Sequence, residues 1–388
     1  MTVTATSERA LDQLVDQRRV VICCGSGGVG KTTTAAVVAL EGARRGRNAV
    51  VVTIDPAKRL ANALGLDHLS DTATEIDRSR WDPNGDAPPS GRLSALMLDT
   101  KSTFDRLITR NAGSDDQAQG ILENRFYRNV SGALGGTQEY MAMEKLHELH
   151  EEGGFDLIVV DTPPTRHALD FLDAPKRLIR LLDNRIFRLL MMPTRAYLRV
   201  ASVAVQAFLR TVSRVIGTEV VEDVVAFFRA FEGMEQGFRD RARAVEALIS
   251  DPSTAFVLVT SPRRDAVDEA RYFAQSLTAH HQTVEALIVN RVHPAFGDEA
   301  PEGLRARAEG LRSDTRDPEA AARLAALYEN LADFRDIAIG ERTHLESLRD
   351  RIGSATVAYV PFLAHDVYDF DALGEVANLL FVASDNAG

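Results

Sequence analysis

Residues 25–32 read Gly-Ser-Gly-Gly-Val-Gly-Lys-Thr and fit the spacing G-x-x-x-x-G-K-[ST]. Each residue type has a physical task in that pattern. Glycines let successive backbone N–H groups turn inward and surround phosphate oxygens. A helix starting at Lys31 would present its positive dipole end to the same anion. The Lys31 ammonium would reach the β- and γ-phosphates, and the Thr32 hydroxyl would ligate magnesium. The expected ligand is therefore ATP with Mg2+, held by Gly27, Gly28, Val29, Gly30, Lys31, Thr32 and Thr33.

Two carboxylates stand where they could join this chemistry. Asp161 ends the apolar run 157–160 and precedes Thr162-Pro163-Pro164-Thr165. An acid at that point could hold magnesium through water, or it could be a turn or helix-capping aspartate. Asp55 ends the apolar run 49–54 and precedes Pro56. It could orient a water attacking the γ-phosphate, or simply make an Asp-Pro turn.

These residues need a scaffold, and the pattern of apolar runs supplies one. The β-branched run 20–24 reads as a buried strand. Residues 31–45 read as a helix closed by Gly46, and 49–54 as a second strand parallel to the first. Further strands are expected at 94–98, 157–160, 255–260, 286–289 and 356–360, each ending in a polar residue or proline. In a doubly wound sheet, ligands bind at the carboxyl ends of the strands. The fold class expected is α/β, a parallel doubly wound sheet flanked by helices, with an inserted α-helical subdomain in a single domain over 1–388.

The inserted helices fall between the strands. Residues 107–151 read as helical with a break at Gly135-Gly136, and 176–249 as a longer helical region divided by Pro193 and Gly217. In 301–351, Leu324, Leu327, Leu331, Phe334 and Ile337 mark one helical face. Residues 82–91 read as an exposed, mobile Pro/Gly/Asp loop.

Bulk properties narrow the function classes. The chain has 388 residues and a formal net charge of −11. That balance argues against bulk nucleic-acid binding, which needs a basic footprint. No run of 18 apolar residues exists, so no stable membrane span is expected. Residues 1–19 are polar and carry no signal-peptide core. The two cysteines, Cys23 and Cys24, are adjacent and read as buried strand thiols rather than a disulfide. A cytoplasmic location fits both features.

The motifs together resemble those of the arsenite-pump and tail-anchored-protein-targeting (guided entry) ATPase family, in the MinD-like class of P-loop ATPases. The likeness suggests a bacterial member. Asp55-Pro56-Ala57-Lys58-Arg59-Leu60 resembles the family's first switch, and Asp161-Thr162-Pro163-Pro164-Thr165-Arg166-His167-Ala168-Leu169 its second. Phe171-Leu172-Asp173-Ala174-Pro175 continues the likeness, as do Asn290-Arg291-Val292 and Pro361-Phe362-Leu363. It spans residues 18–382.

The resemblance implies that Asp55 polarises the hydrolytic water and that Asp161 and Asp55 join Thr32 at magnesium, partly through water. It implies that Lys31 is catalytic, that Asn290 reads the adenine edge, and that Pro361 and Phe362 close over the adenine. It also implies a dimer, whether a homodimer or a heterodimer with a paralogous ATPase. The helical insertions at 101–150 and 176–250 would then face a hydrophobic client or membrane-associated protein. The apolar segment 186–216 could form a Met-rich groove for such a client. A packed helical core or a dimer interface would use the same residues.

Three departures separate this chain from the family pattern. Ser26 stands where the family has a lysine that reaches the partner's phosphates, so unaided hydrolysis is expected to be weak. The family's cysteine-based metal sites have no counterpart, so soft-metal binding is not expected; His280 and His281 read as part of a solvated loop. Lys58 replaces a histidine of the first switch, and Arg166 a glycine of the second.

Overall fold

The structure is a computed structural model that describes residues 5–54, 59–130, 137–163, 168–184, 218–313 and 317–381. The chain runs α1 (Ala5–Gln17), β1 (Val20–Cys24), α2 (Lys31–Arg44), β2 (Asn48–Thr53), α3 (Arg59–Ala63), β3 (Thr74–Glu75), α4 (Arg78–Trp81) and β4 (Arg92–Met97). Next come α5 (Thr100–Asn111), α6 (Asp115–Leu122), α7 (Arg125–Val130), α8 (Thr137–Glu152), β5 (Leu157–Asp161) and α9 (Ala168–Leu182). Beyond residue 217 follow α10 (Thr218–Ala230), α11 (Glu235–Ile249), β6 (Thr254–Thr260), α12 (Arg264–Ala279) and β7 (Val284–Val292). The last elements are α13 (Pro301–Arg312), α14 (Pro318–Ile352), β8 (Thr356–Pro361) and α15 (Phe370–Leu380).

Eight strands form one sheet in the order β3-β4-β2-β5-β1-β6-β7-β8. All pairs are parallel except β3 with β4. Strands β1, β5 and β6 are buried along their whole length, because helices cover both faces of a parallel sheet. Their sequences are accordingly continuous apolar runs rather than alternating ones. Register brings the ends of three strands level, since Asp161 of β5 is opposite both Cys23 of β1 and Thr53 of β2. The chain therefore delivers the loop after β1 and the acid ending β5 to one edge.

Strand alternation splits the core in two. Val21 and Cys23 pack with α1, α2 and α15 on one face. Val20, Ile22 and Cys24 pack on the other face with α8, α11, α12 and α14. Each fully buried Val, Leu or Ile in these layers contributes about 1.5–3 kcal/mol. A third cluster lies wholly among helices, joining Leu107, Ile108, Ile121, Tyr127, Phe231 and Phe238. Its aromatic rings are in contact, with Tyr127 and Phe227 stacked at a centroid distance of 6.1 Å.

The fold gives one expected face its direction and changes one expectation. The large apolar face of α14 does not point inward. Leu324, Leu327, Phe334 and Ile337 are exposed, Leu327 at 65%. The buried face carries Ala325, Ala332, Arg335 and Ala338, and farther along Leu345, Leu348 and Ile352, which join the second core layer. The loop at 82–91 is pinned rather than loose. The Asp82 carboxylate accepts from the Asp86 and Ala87 N–H groups and pairs with Arg78, while Trp81 and Ala87 are buried. The apolar segment 186–216 and the glycine break at 135–136 lie outside the described residues.

Candidate functional site

The loop 25–30 joins the carboxyl end of β1 to the start of α2. Gly30 is the residue before α2, at φ 97°, and no side chain caps the helix. The first N–H groups of α2 thus have no side-chain partner of their own at the Gly30 cap, as an anion site at a helix start requires. The glycines are needed for different reasons. A Cβ on Gly25 would lie 2.0 Å from the Val259 carbonyl oxygen of β6, and its φ is 151°. A Cβ on Gly30 would lie 2.2 Å from Asn290 Nδ2. Gly28, at φ 75°, faces open space, and a Cβ there would meet nothing within 4 Å.

Lys31 is only 6% exposed, and its Nζ donates to the Ser26 carbonyl at 2.7 Å across the loop. The ammonium is thereby held at the mouth of the glycine turn. Thr32 Oγ1 donates to Asp161 Oδ2 at 2.8 Å, and Thr53 Oγ1 donates to the same oxygen at 3.0 Å. Asp161 is 1% exposed. Thr162 ties the strand ends together, its hydroxyl donating to the Cys23 carbonyl at 2.8 Å. The Ser26 hydroxyl oxygen is buried and has no hydrogen-bond partner among the described residues.

Asn290 sits near the end of β7. Its Nδ2 donates to the Val29 carbonyl at 2.9 Å, and its Oδ1 accepts the Arg291 N–H at 2.9 Å. Beyond it, the His293 ring stacks on Phe362, with centroids 5.7 Å apart and planes 15° from parallel. Glu341 of α14 holds His293 at both its backbone N–H and Nδ1, at 2.9 and 2.6 Å. Phe362 is 56% exposed, and its N–H donates to the Val292 carbonyl at 2.9 Å.

The site's electrostatics are set by burial. The Cys23 thiol is pushed up by burial and then by the neighbouring Asp161 carboxylate. Burial pushes the Cys24 thiol up to about 12, despite the nearby Lys31. Both cysteines are free and buried, as strand thiols should be. The oxygen donors suit a hard divalent cation. The Thr32 hydroxyl and the Asp161 carboxylate match magnesium far better than a soft metal. Among the described residues no cluster of three His, Cys, Asp or Glu side chains is placed to hold a metal by itself.

The structure brings Gly25, Gly30, Lys31, Thr32, Asp161 and Asn290 together. Pro361 ends β8 opposite Val292, two residues beyond Asn290, and Phe362 follows it, its N–H on the Val292 carbonyl. Asp55, Lys58 and Arg166 lie outside the described residues. The Ile54 carbonyl just before Asp55 accepts from Gln138 Nε2 of α8 at 3.2 Å. Sequence inspection passes over Thr53, His293 and Glu341. Thr53 could have been suspected as the polar end of a buried run, whereas nothing local marks the other two. His280 also differs from the expected solvated loop. It is half-buried, and its Nε2 lies 3.1 Å from Asp173 Oδ1.

Comparison with known proteins finds a matching family and several relatives. The model of a family described as anion-transporting ATPase matches residues 18–312. The ATPase GET3 of Paracoccidioides lutzii is 24% identical over 315 residues, covering 79% of this chain and 83% of that protein. The ATPase get3 of Aspergillus terreus is 29% identical over 182 residues, covering 45% of this chain and 49% of that one. The ATPase GET3 of Malassezia globosa is 29% identical over 185 residues, covering 47% of this chain and 51% of that one.

Proposed function

The chain belongs to the anion-transporting ATPase family, and we propose that it acts as an ATP-hydrolysing dimeric switch coupling nucleotide state to a client or membrane-associated protein. The observation that supports this most directly is the Thr32–Asp161 hydrogen bond of 2.8 Å beside the buried Lys31. It joins the phosphate loop to the acid ending β5 in one connected polar group.

In this proposal Gly27, Gly28, Val29, Gly30 and Thr33 line the phosphates, and Lys31 neutralises charge developing on the γ-phosphoryl group. Thr32, with Asp161 and Asp55 partly through water, would hold magnesium, which would supply positive charge against the phosphates. Asp55 orients the attacking water and takes its proton. Asn290 reads the adenine edge, and Pro361 and Phe362 close over the base. The insertions at 101–150 and 176–250 carry the client or partner surface, and the protein works in the cytoplasm. Among the described residues no helix is long and apolar enough to cross a membrane.

A second reading has its own observation. Ser26 offers a short neutral hydroxyl, and its carbonyl already accepts Lys31 Nζ. It provides no cation for a partner's phosphates. The chain would then be a catalytically weak subunit that binds ATP and completes a heterodimer with a paralogous ATPase carrying the lysine. A cation supplied across an interface is worth about 10³–10⁵ in turnover in other NTPases. ATP turnover of the chain alone, compared with Ser26→Lys, separates the two. Slow turnover that rises steeply in Ser26→Lys supports the weak-subunit reading. Brisk turnover by the unmodified chain, little changed by the substitution, overturns it.

A further inference from the structure

We propose that Asn290 is a positioning residue for the phosphate loop, so that one carboxamide ties recognition of the base to the grip on the phosphates. This rests on the nucleotide reading of the site and deepens it.

The contact is built by the fold rather than by neighbours in sequence. Pairing between β7 and β8 shifts register between Val289 and Val292. Arg291 at that irregularity has φ 61°, in the left-handed region that residues other than glycine, asparagine and aspartate seldom adopt. Such an irregularity re-aims a side chain. Here the Asn290 amide reaches the loop 261 positions earlier and donates to the Val29 carbonyl at 2.9 Å. The Arg291 N–H donates back to Asn290 Oδ1 at 2.9 Å. One end of the amide faces a carbonyl and the other an N–H, so its orientation is determined by its partners.

Gly30 makes the approach possible. A Cβ there would lie 2.2 Å from Asn290 Nδ2. At Gly28, by contrast, an added Cβ would meet nothing within 4 Å. The glycine before Lys31 is therefore required by Asn290 as well as by its φ of 97°.

The carboxamide also keeps capacity for a ligand. It has two N–H donors and two acceptor lone pairs. The described residues take one of each. The remaining N–H and lone pair match the acceptor and donor that adenine presents at N7 and N6. A base bound there would stiffen the same amide that holds Val29, and a set loop would orient the amide for the base.

The test separates base reading from loop positioning with a ligand that has no base. Full-length protein, Asn290→Ala and Asn290→Asp are titrated calorimetrically with ATP and with inorganic tripolyphosphate. Hydrogen exchange of residues 26–34 is followed in the ligand-free proteins. Losing one hydrogen bond to the loop should weaken tripolyphosphate about 3- to 10-fold in Asn290→Ala. ATP should weaken more, and exchange should quicken in 26–34 while 254–260 stays unchanged. Asn290→Asp keeps the acceptor for Arg291 but loses the donor, so it should also release the loop. If Asn290→Ala weakens ATP alone, with tripolyphosphate binding and loop exchange as in the unmodified protein, the proposal is overturned. Equal quickening in 26–34 and 254–260 would also overturn it, by marking a general loss of stability. Unmodified protein that binds neither ligand would instead overturn the nucleotide reading beneath it.

Discussion

Thr32 Oγ1 and Asp161 Oδ2 lie 2.8 Å apart although 129 positions separate them in the chain. The β1–β5 and β2–β5 registers create this pair by setting Asp161 level with Cys23 and Thr53. A buried carboxylate that orients a metal-ligating hydroxyl typically contributes about 10–100-fold to metal affinity or activity. Asp161→Asn should therefore raise the magnesium concentration needed for half-maximal ATP turnover by about that factor. Titrating turnover against magnesium checks this, and an unchanged midpoint would remove Asp161 from the metal's surroundings.

The glycines of the loop should differ in cost when replaced. Gly25→Ala forces a methyl against a β6 backbone carbonyl that cannot swing away, at 2.0 Å, and at φ 151°. Overpacking and backbone strain together should cost about 3 kcal/mol. Gly28→Ala meets open space and should cost only the left-handed conformation, about 1–2 kcal/mol. Urea unfolding of the two variants gives the comparison. Equal losses would mean that contact with Val259 does not limit the loop.

Much of this arrangement is legible in the sequence because it is local. The run 20–24, the glycine turn and the helix from Lys31 follow one another directly, and each has a strong residue-level signature. The strands β5 and β6 are equally plain, being apolar runs closed by Asp161 and Ser261. What escapes inspection depends on partners distant in sequence. The apolar period of α14 is real, yet period alone does not say which face docks, and the face with Ala325, Ala332 and Ala338 is buried while Leu324, Leu327, Phe334 and Ile337 are exposed. Asn290 enters the sequence reading only through the family resemblance, and its bond to Val29 comes from sheet order and a register shift. His280 looks like loop until Asp173 of α9 is brought beside it.

Cys23 and Cys24 should be inert in the native protein. Burial raises both thiol pKa values, Cys24 to about 12, so almost no thiolate exists at about pH 8. Thiolate is the reactive form, and access is closed as well. An aromatic disulfide reagent should release no chromophore from folded protein and two equivalents in denaturant, matching the two cysteines. Prompt reaction in the native state would show that β1 opens beside the phosphate loop.

Acid should weaken the fold through His147 on α8. Burial lowers its pKa, and Arg241 of α11 adds to the shift, with His150 and Arg110 of α5 acting the same way and Glu151 opposing. Neither ring nitrogen has a hydrogen-bond partner among the described residues, and the Glu151 carboxylate 3.6 Å from Nε2 offsets only part of the cost of a second proton. The unfolded chain takes up that proton near about pH 6.5, whereas the folded chain resists it until a lower pH. Stability therefore holds above about pH 6.5 and falls as pH drops toward the folded-state pKa. One such histidine contributes at most about 1.4 kcal/mol per pH unit. His150, whose pKa is also lowered by burial, adds in the same direction. Unfolding free energies measured between about pH 7.5 and about pH 5.5 should show a shallower decline in His147→Gln than in the unmodified protein. Identical slopes would mean that His147 is already protonated in the folded state or exchanges freely with solvent.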